Sequence, residues 1–457
     1  MTKLIPKEIL DIFFKIKKTN YQVYFVGGCV RDIILKKEIK DWDFATNAKP
    51  EQILKLFPEG FYDNQFGTVG IPLEVNNEKE IVEITTYRSE SEYKDRRHPE
   101  KVEWGKTIEE DLQRRDFAMN AIAMKVTTND QQLTTNFVDP YKGKEDVDKK
   151  LIRAVGDPSE RFKEDALRMM RAIRFTSQLG FSIDEPTFSE IKKNSTLISE
   201  ISNERVRDEL LKILASEKAY EGILLLQESG LLKFIIPELE EGIDVSMERP
   251  GRHHMGDVFT HNLLSLKETP SNDPIVRFAA LIHDVAKPKV EAKDEEGLAI
   301  FHNHEMAGAK IAQAICERLR FSKKDRDRVV NLVRWHMFSV NENDTDAAIR
   351  RFIRRVGVEN VKDIMDLRIG DRLGGGTQTA ESWRLKLFKK RVEDQLKPKP
   401  FSIEDMAVDG NDIMKELNLP PSKKIGEILQ KLFEEVDEDL SKNNKEYLLK
   451  KIKEIFK

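Results

Sequence analysis

Only two cysteines, Cys29 and Cys316, occur in 457 residues. That is too few for a disulfide framework or a four-ligand zinc finger, so a reducing compartment is expected. Long apolar runs are missing too. No stretch approaches the roughly 20 residues of a membrane span. The opening MTKLIPKEILDIFFKIKK lacks the small-residue cleavage site of a secretory leader, which predicts a cytoplasmic protein with no membrane partner. Neither a fixed-period repeat nor a low-complexity tract is present. Excess positive charge is absent as well: 77 Lys and Arg against 81 Asp and Glu leave −4. That balance would argue against a polynucleotide binder if averages mattered, but patches make the electrostatic footprint. Basic clusters stand at Lys94, Arg96 and Arg97, at Arg350, Arg351, Arg354 and Arg355, and from Arg384 to Arg391. Each alone reads equally well as a solvated helix face.

What is present is a globular composition, 39% hydrophobic and 35% charged, over a length that predicts two to four domains. Strand-like segments crowd residues 21 to about 140: YQVYFVGG, DWDFAT, FGTVGIPL and KEIVEITTYR mix β-branched and aromatic residues between Gly, Asn and Asp. After Val155 the apolar spacing becomes helical, as in ALRMMRAIRFTSQLG, ERVRDELLKILAS and GAKIAQAICERL. Breaks at Gly156–Pro158, in EGIDVSMERPGRHHMGD and at Lys397–Pro400 divide the chain into 1–150, 151–240, 241–396 and 397–457. The fold class is therefore α+β, an α/β head followed by an all-helical remainder.

Asp41 and Asp43 alternate around Trp42, so on a strand both carboxylates share one face. Glu83, on a second predicted strand, offers a third. Paired carboxylates repel unless a cation lies between them, and Mg²⁺ takes a few carboxylates together with phosphate oxygens. Gly27 and Gly28 follow a strand and precede a helix, where backbone N–H groups can approach an anion beside Arg31. VGGCVRD followed by DWDFAT resembles the class II tRNA nucleotidyltransferase and bacterial poly(A) polymerase family, within the DNA polymerase beta superfamily. The resemblance implies a nucleotidyltransferase head. It extends to DLQRRDFAMNAIA, implying that Arg114, Arg115, Asp116 and Asn120 contact ribose and triphosphate.

In GDPSERFKEDALRMMRAIRF, Asp157 and Ser159 are N-cap candidates, and Asp165 and Arg168 stand at i,i+3 on one expected helix. Cytosine and adenine both present an amine donor beside a ring-nitrogen acceptor, so a carboxylate next to a guanidinium matches C and A and opposes G and U. Arg171 and Arg174 follow near the same face, within reach of a triphosphate. EDxxR resembles the family's nucleotide-selecting motif, implying roles for Glu164, Asp165 and Arg168, with Arg161 just before it a further candidate for nucleotide binding, and NERVRDELLKIL is similar to the family's neck. The polar stretch YRSESEYKDRRHPEKVEW resembles the loop that the family needs for the final A.

His261, His283, Asp284, His304, His336 and Asp371 fall in FTHN, FAALIHDVAKP, HNHEMAGA, VRWHM and IGDR, an order that resembles the HD superfamily. Imidazoles and carboxylates with open positions suit a divalent metal that activates water against a phosphoester. The adjacent His253 and His254 read as loop residues. The segment MAVDGNDIMKELNLPPSKKIGEILQKLFEEV is similar to a tail that grips the tRNA elbow by shape.

Taken together, the expected activity is template-independent addition of C, C and A from CTP and ATP to the tRNA acceptor end, with Mg²⁺ at the head and a second divalent metal at the HD residues. Alternatives are a poly(A) polymerase, an enzyme adding only the terminal A, or an HD phosphohydrolase acting on RNA ends.

Overall fold

The computed structural model describes residues 4–64, 67–75, 78–88, 104–129, 132–247, 256–396 and 401–456. They form two compact units, Met1–Glu240 with Arg318–Phe321, and Glu241–Glu317 with Ser322–Lys457. The poly-basic stretch Lys94–Arg97, most of the loop between Tyr87 and Trp104, and His253 and His254 lie outside the described residues.

In the first unit, seven strands make one sheet: β1 (Val23–Val26), β2 (Trp42–Thr46), β3 (Phe61–Asn64), β4 (Thr68–Val75), β5 (Glu78–Thr86), β6 (Ala123–Asn129) and β7 (Gln132–Val138). Their order is β3-β4-β5-β2-β1-β6-β7, and only β2 and β5 run parallel. Period-two alternation assigns each face its partners. Phe25 and Phe44 point to one side, where Phe13 of α1 (Lys7–Lys17) stacks on Phe25 with ring centres 5.0 Å apart. On the other side Val26, Ala45 and Ala123 meet Ile108 and Leu112 of the helix Ile108–Gln113.

Helices α2 (Gly28–Leu35), α3 (Pro50–Leu56), α4 (Ile108–Gln113) and α5 (Gly143–Lys149) complete the head. α6 (Pro158–Glu164), α7 (Leu167–Leu179), α8 (Glu185–Asn194), α9 (Asn203–Leu214), α10 (Ala219–Glu228), α11 (Leu232–Ile235) and α12 (Pro237–Glu240) follow. The neck is not all helix, because Leu151–Ile152 and Ser182–Ile183 pair as a short parallel ladder. A larger departure lies between α6 and α7. The expected continuous helix breaks at Asp165, which is extended (φ −149°, ψ 101°). Its carboxylate accepts a hydrogen bond from Leu167 N at 3.1 Å, starting α7 in the manner of an N-cap. Asp157 caps α6 as expected, accepting from Ser159 N.

The second unit is helical apart from a two-residue hairpin, Ala292–Lys293 against Ala299–Ile300. Its helices are α13 (Val258–Glu268), α14 (Pro274–Ile282), α15 (Lys287–Val290), α16 (His304–Arg318), α17 (Lys323–Trp335), α18 (Asp346–Val356), α19 (Val361–Gly374), α20 (Trp383–Gln395), α21 (Gly410–Leu417), α22 (Lys423–Glu438) and α23 (Lys445–Phe456). Gly370 and Gly374 let α19 lie directly on α13: a Cβ at Gly374 would stand 2.5 Å from Ser265 Oγ, and one at Gly370 2.1 Å from Thr269 Oγ1. Arg350 is buried and donates to Asp437 of α22, Arg354 binds the same carboxylate, and Arg351 pairs with Glu438. This basic cluster is therefore largely an internal clamp between α18 and α22. No helix among the described residues is long and apolar enough to cross a membrane.

Candidate active site and metal centre

Strand β2 brings Asp43 opposite Glu83 of β5 in register, so both carboxylates leave the same face of the sheet, with Asp41 two residues before Asp43. Burial, then Glu83 and Asp41, push Asp43 up to about 6, with Arg115 opposing. A carboxylate crowded in this way gains most from a neighbouring cation. Gly27 sits at φ +75°, and a Cβ there would stand 3.0 Å from Arg115 Nη1 and 3.3 Å from Asp43 Oδ2. The missing side chain leaves an open cradle between a guanidinium and a carboxylate, at the start of α2. Arg31, on the first turn of α2, donates to Asn120 Oδ1 at 3.0 Å and to Asp32.

Arg114 and Arg115 are both anchored on Asp111, at 2.5 and 3.0 Å. Burial alone would raise Asp111, but the two guanidiniums hold it at about 2. Asp116 is buried, accepts from Phe117 N and pairs with Arg171 at 2.6 Å. Its carboxyl is likewise held low, Arg171 and Arg168 outweighing burial. Asp116, expected to contact ribose or triphosphate, is thus also engaged with Arg171. Arg171, Arg174 and Arg31 all gather around the Phe175 ring, 5.7, 4.3 and 5.6 Å from its centre. Arg174 is also bonded to buried Glu209 of α9 at 2.7 Å.

The expected Asp165–Arg168 ion pair is not formed. Because the chain breaks at Asp165, Arg168 instead pairs with Glu164 at 2.6 Å and donates to the carbonyls of Arg161 and Arg114. Arg161 also holds Glu164, at 2.8 Å, and Asp165 pairs with Arg205 of α9 at 2.7 Å. Three residues of this framework escaped sequence reasoning: Asp111, Arg205 and Glu209. The i−3 and i−4 spacing of Asp111 from the two arginines was an available signal. The pairs reaching α9 had none, since their partners lie 40 residues apart for Asp165 and Arg205.

The six HD residues converge. His261 comes from α13, His283 and Asp284 from the end of α14, His304 from the start of α16, His336 from the end of α17 and Asp371 from α19. Three imidazoles are fixed by backbone: Nδ1 of His283, His304 and His336 lies 2.7–2.8 Å from the carbonyl three residues earlier. Those rings therefore donate through Nδ1–H and turn the Nε2 lone pair inward. Nε2 of His304 faces Nε2 of His336 at 3.2 Å, and the His261 and His283 pair stands at the same distance. Asp284 lies between the pairs: Oδ2 is 3.3 Å from His261 and His283, and Oδ1 is 3.2 Å from His304 and 3.6 Å from His336. Asp371 reaches His261 at 3.4 Å. Lone pairs this close, in a buried pocket, require a cation or a proton among them. With no cation, burial opposes charge but Asp284 and Asp371 push His283 up to about 10. Lys287 adds a 2.5 Å contact to Asp284. Among the described residues, only this cluster brings three ligand atoms within 4.8 Å of one another; the head carboxylates are set wider.

Three known families match successive stretches of the chain. Residues 23–153 match the family described as poly A polymerase head domain, 180–243 the probable RNA- and SrmB-binding site of polymerase A, and 254–409 the HD domain. A CCA-adding enzyme of Geobacillus kaustophilus is 44% identical over 230 residues, 50% of this chain and 54% of the relative, so the match spans about half the length of that protein. The CCA-adding enzyme of Ligilactobacillus salivarius is 31% identical over 450 residues, covering 98% of this chain and 96% of the relative. Among solved structures, the Bacillus stearothermophilus CCA-adding enzyme in complex with CTP superposes with a TM-score of 0.67 at 25% identity, over 98% of this chain and 97% of that one. Being 31% identical to one such enzyme over nearly the whole of both chains, and sharing the fold of another, the chain belongs to the family of CCA-adding enzymes.

Proposed function

We propose that the protein adds C, C and A, from CTP and ATP, to the 3′ end of tRNA without a template. The observation that carries this is the facing pair Asp43 and Glu83, beside the Gly27 cradle and the Asp111-anchored arginines. The family depends on a divalent metal, and Asp41 and Asp43 are the residues that would hold Mg²⁺. When bound, the ion lowers the pKa of the RNA 3′ hydroxyl and offsets triphosphate charge. The chain's residues do the rest. Gly27 and Gly28 admit the phosphates, while Arg31, Arg114, Arg115, Arg171 and Arg174 supply charge-assisted donors. The 3′ oxygen forms a bond to the α-phosphorus, the bond to pyrophosphate breaks, and the hydroxyl proton leaves to solvent. Asp116 with Asn120 orients the ribose, and Arg161, Glu164, Asp165 and Arg168 present the edge that selects C and A. Its work is placed in the cytoplasm, a reducing compartment in which the two buried thiols of Cys29 and Cys316 would stay unpaired.

The test uses tRNA lacking CCA, tRNA ending in CC, and an unstructured RNA, each with CTP or ATP. C then A on the first and A alone on the second are expected. No CTP incorporation on any primer overturns the CCA reading, and long A tails on unstructured RNA would indicate a poly(A) polymerase. Terminal A on the CC primer alone would indicate an A-adding enzyme.

The convergent HD residues favour a second activity. With Asp284 shared between two histidine pairs, His261, His283 and Asp371 on one side and His304 and His336 on the other would hold a divalent metal that activates water against phosphoesters at RNA ends. The double substitution His283→Ala, Asp284→Ala should remove metal-dependent release of phosphate from RNA ends while leaving nucleotide addition. Hydrolysis that persists in this variant sinks the assignment.

A further inference from the structure

The sheet register continues past the carboxylates. Asp43 pairs with Glu83, Glu83 with Gly70 of β4, and Gly70 with Phe61 of β3, so these four residues form one row on one face. Ile81, two residues before Glu83, shares that face and pairs with Pro72. On the opposite face of β4 and β5, Val69, Ile71, Val82 and Ile84 are all buried, and among the described residues only Tyr62 of the edge strand β3 is exposed there, whereas Phe61 and Ile81 are 42% and 55% exposed. Gly70 makes room for them. A Cβ there would stand 2.6 Å from Phe61 Cζ and 3.1 Å from Ile81 Cγ2. The Phe61 ring therefore reaches across β4 toward β5, and with strands about 4.8 Å apart it ends about one strand from Glu83.

We propose that Phe61, with Ile81 and Pro72, forms an apolar platform that stacks the 3′-terminal base of the RNA being extended. The inference rests on the reading of the head as the site of nucleotidyl transfer. The occupant follows from that chemistry. The RNA 3′ hydroxyl must come to Asp43, and the base carried by the same ribose must then lie beside the carboxylates. That base is the tRNA's own last nucleotide before the first addition and C before the second and third, so its seat has to accept purine and pyrimidine alike. Aromatic and aliphatic side chains do so, because every base has a π face, whereas hydrogen-bonding groups would discriminate. Selection of the incoming nucleotide then belongs to the polar neck residues, and tolerance of the outgoing end to this platform.

The experiment uses the full chain and tRNA carrying 2-aminopurine as its 3′-terminal nucleotide, read by fluorescence without triphosphate. Binding to the unaltered protein should quench the probe. Phe61→Ala should remove most of the quenching and raise KM for RNA about tenfold or more, with KM for ATP unchanged. Phe61→Trp should preserve quenching, and Gly70→Val, which evicts the ring, should reproduce the Phe61→Ala phenotype. Because Phe61 is exposed, the melting temperature of Phe61→Ala should barely move. Unchanged quenching and RNA KM in Phe61→Ala overturn the platform. Asp43→Ala separates the two readings: it should abolish addition yet retain quenching. If addition survives in Asp43→Ala the transfer-site reading falls, while the fluorescence still judges the stacking.

Discussion

Asp111 is a buried carboxyl with two arginines on it, and its low pKa has a thermodynamic consequence. Held at about 2 in the fold against an ordinary 3.8, it contributes stability above about pH 4 that is lost as pH falls toward 2. The shift corresponds to about 2 kcal/mol. Asp111→Asn should therefore flatten the acid limb of a melting-temperature profile between pH 4 and 2 and lower the melting temperature at pH 7. It should also reduce kcat/KM for CTP and ATP about tenfold, since Arg114 and Arg115 lose their anchor. An unchanged acid limb would show that the ion pairs do not form. Asp43 behaves in the opposite sense. Raised to about 6, it takes a proton as pH falls below that value, so Mg²⁺ must compete with the proton there. Titrating the addition rate with Mg²⁺ at pH 5.5 and 7.5 should give weaker apparent binding at the lower pH. Equal affinities would remove Asp43 from the metal site. At the neck, Arg168→Ala should blur C against A on a tRNA ending in CC, read as the ratio of CTP to ATP incorporation. Unchanged selectivity would exclude Arg168 from base reading.

Among the elements, strands with strict alternation around aromatic and β-branched residues were readable from sequence, as DWDFAT and KEIVEITTYR became β2 and β5. β3, β6 and β7 were less so, since FYDN and the threonine- and asparagine-rich β6 and β7 carry little apolar contrast. The break between α6 and α7 was missed because neither Gly nor Pro marks it. Asp165 makes the break by bonding its side chain to the next helix's backbone, a choice that depends on Arg205 from α9 being present to share its other oxygen. The HD ligands were found because histidine is rare in this chain and its neighbours repeat a known order. Their pairing around Asp284 was not visible, being set by helix packing. That packing yields a prediction: Gly374→Val forces a side chain into Ser265 of α13, where an added methyl cannot be placed without moving backbone. Overpacking of this kind costs about 1–3 kcal/mol. Since α13 carries His261 and α19 carries Asp371, metal affinity of the HD cluster should fall together with the melting temperature. A variant that melts lower but binds Co²⁺ or Mn²⁺ as before would show that the site does not depend on this contact.

For the whole molecule, two units with separate cores predict two separable functions. Chelation should lower the melting transition of the unit that holds the HD cluster more than that of the head, because a buried ligand set loses its compensating charge. Scanning calorimetry with and without chelator tests this, and equal shifts in both transitions would contradict it. The head sheet carries a further constraint, on how such a chain can change over generations. Asp43, Glu83, Gly70 and Phe61 share a face only because each strand keeps its present register. Slipping β5 by a single residue would turn Val82 or Ile84 toward the substrate and bury Glu83, and the same slip of β2 would turn Trp42 or Phe44 there and bury Asp43. Slips of two would keep the face and merely move the group along it. Lineages of this family should thus tolerate changes of length in the connecting loops, while within the strands insertions and deletions should survive only in even steps.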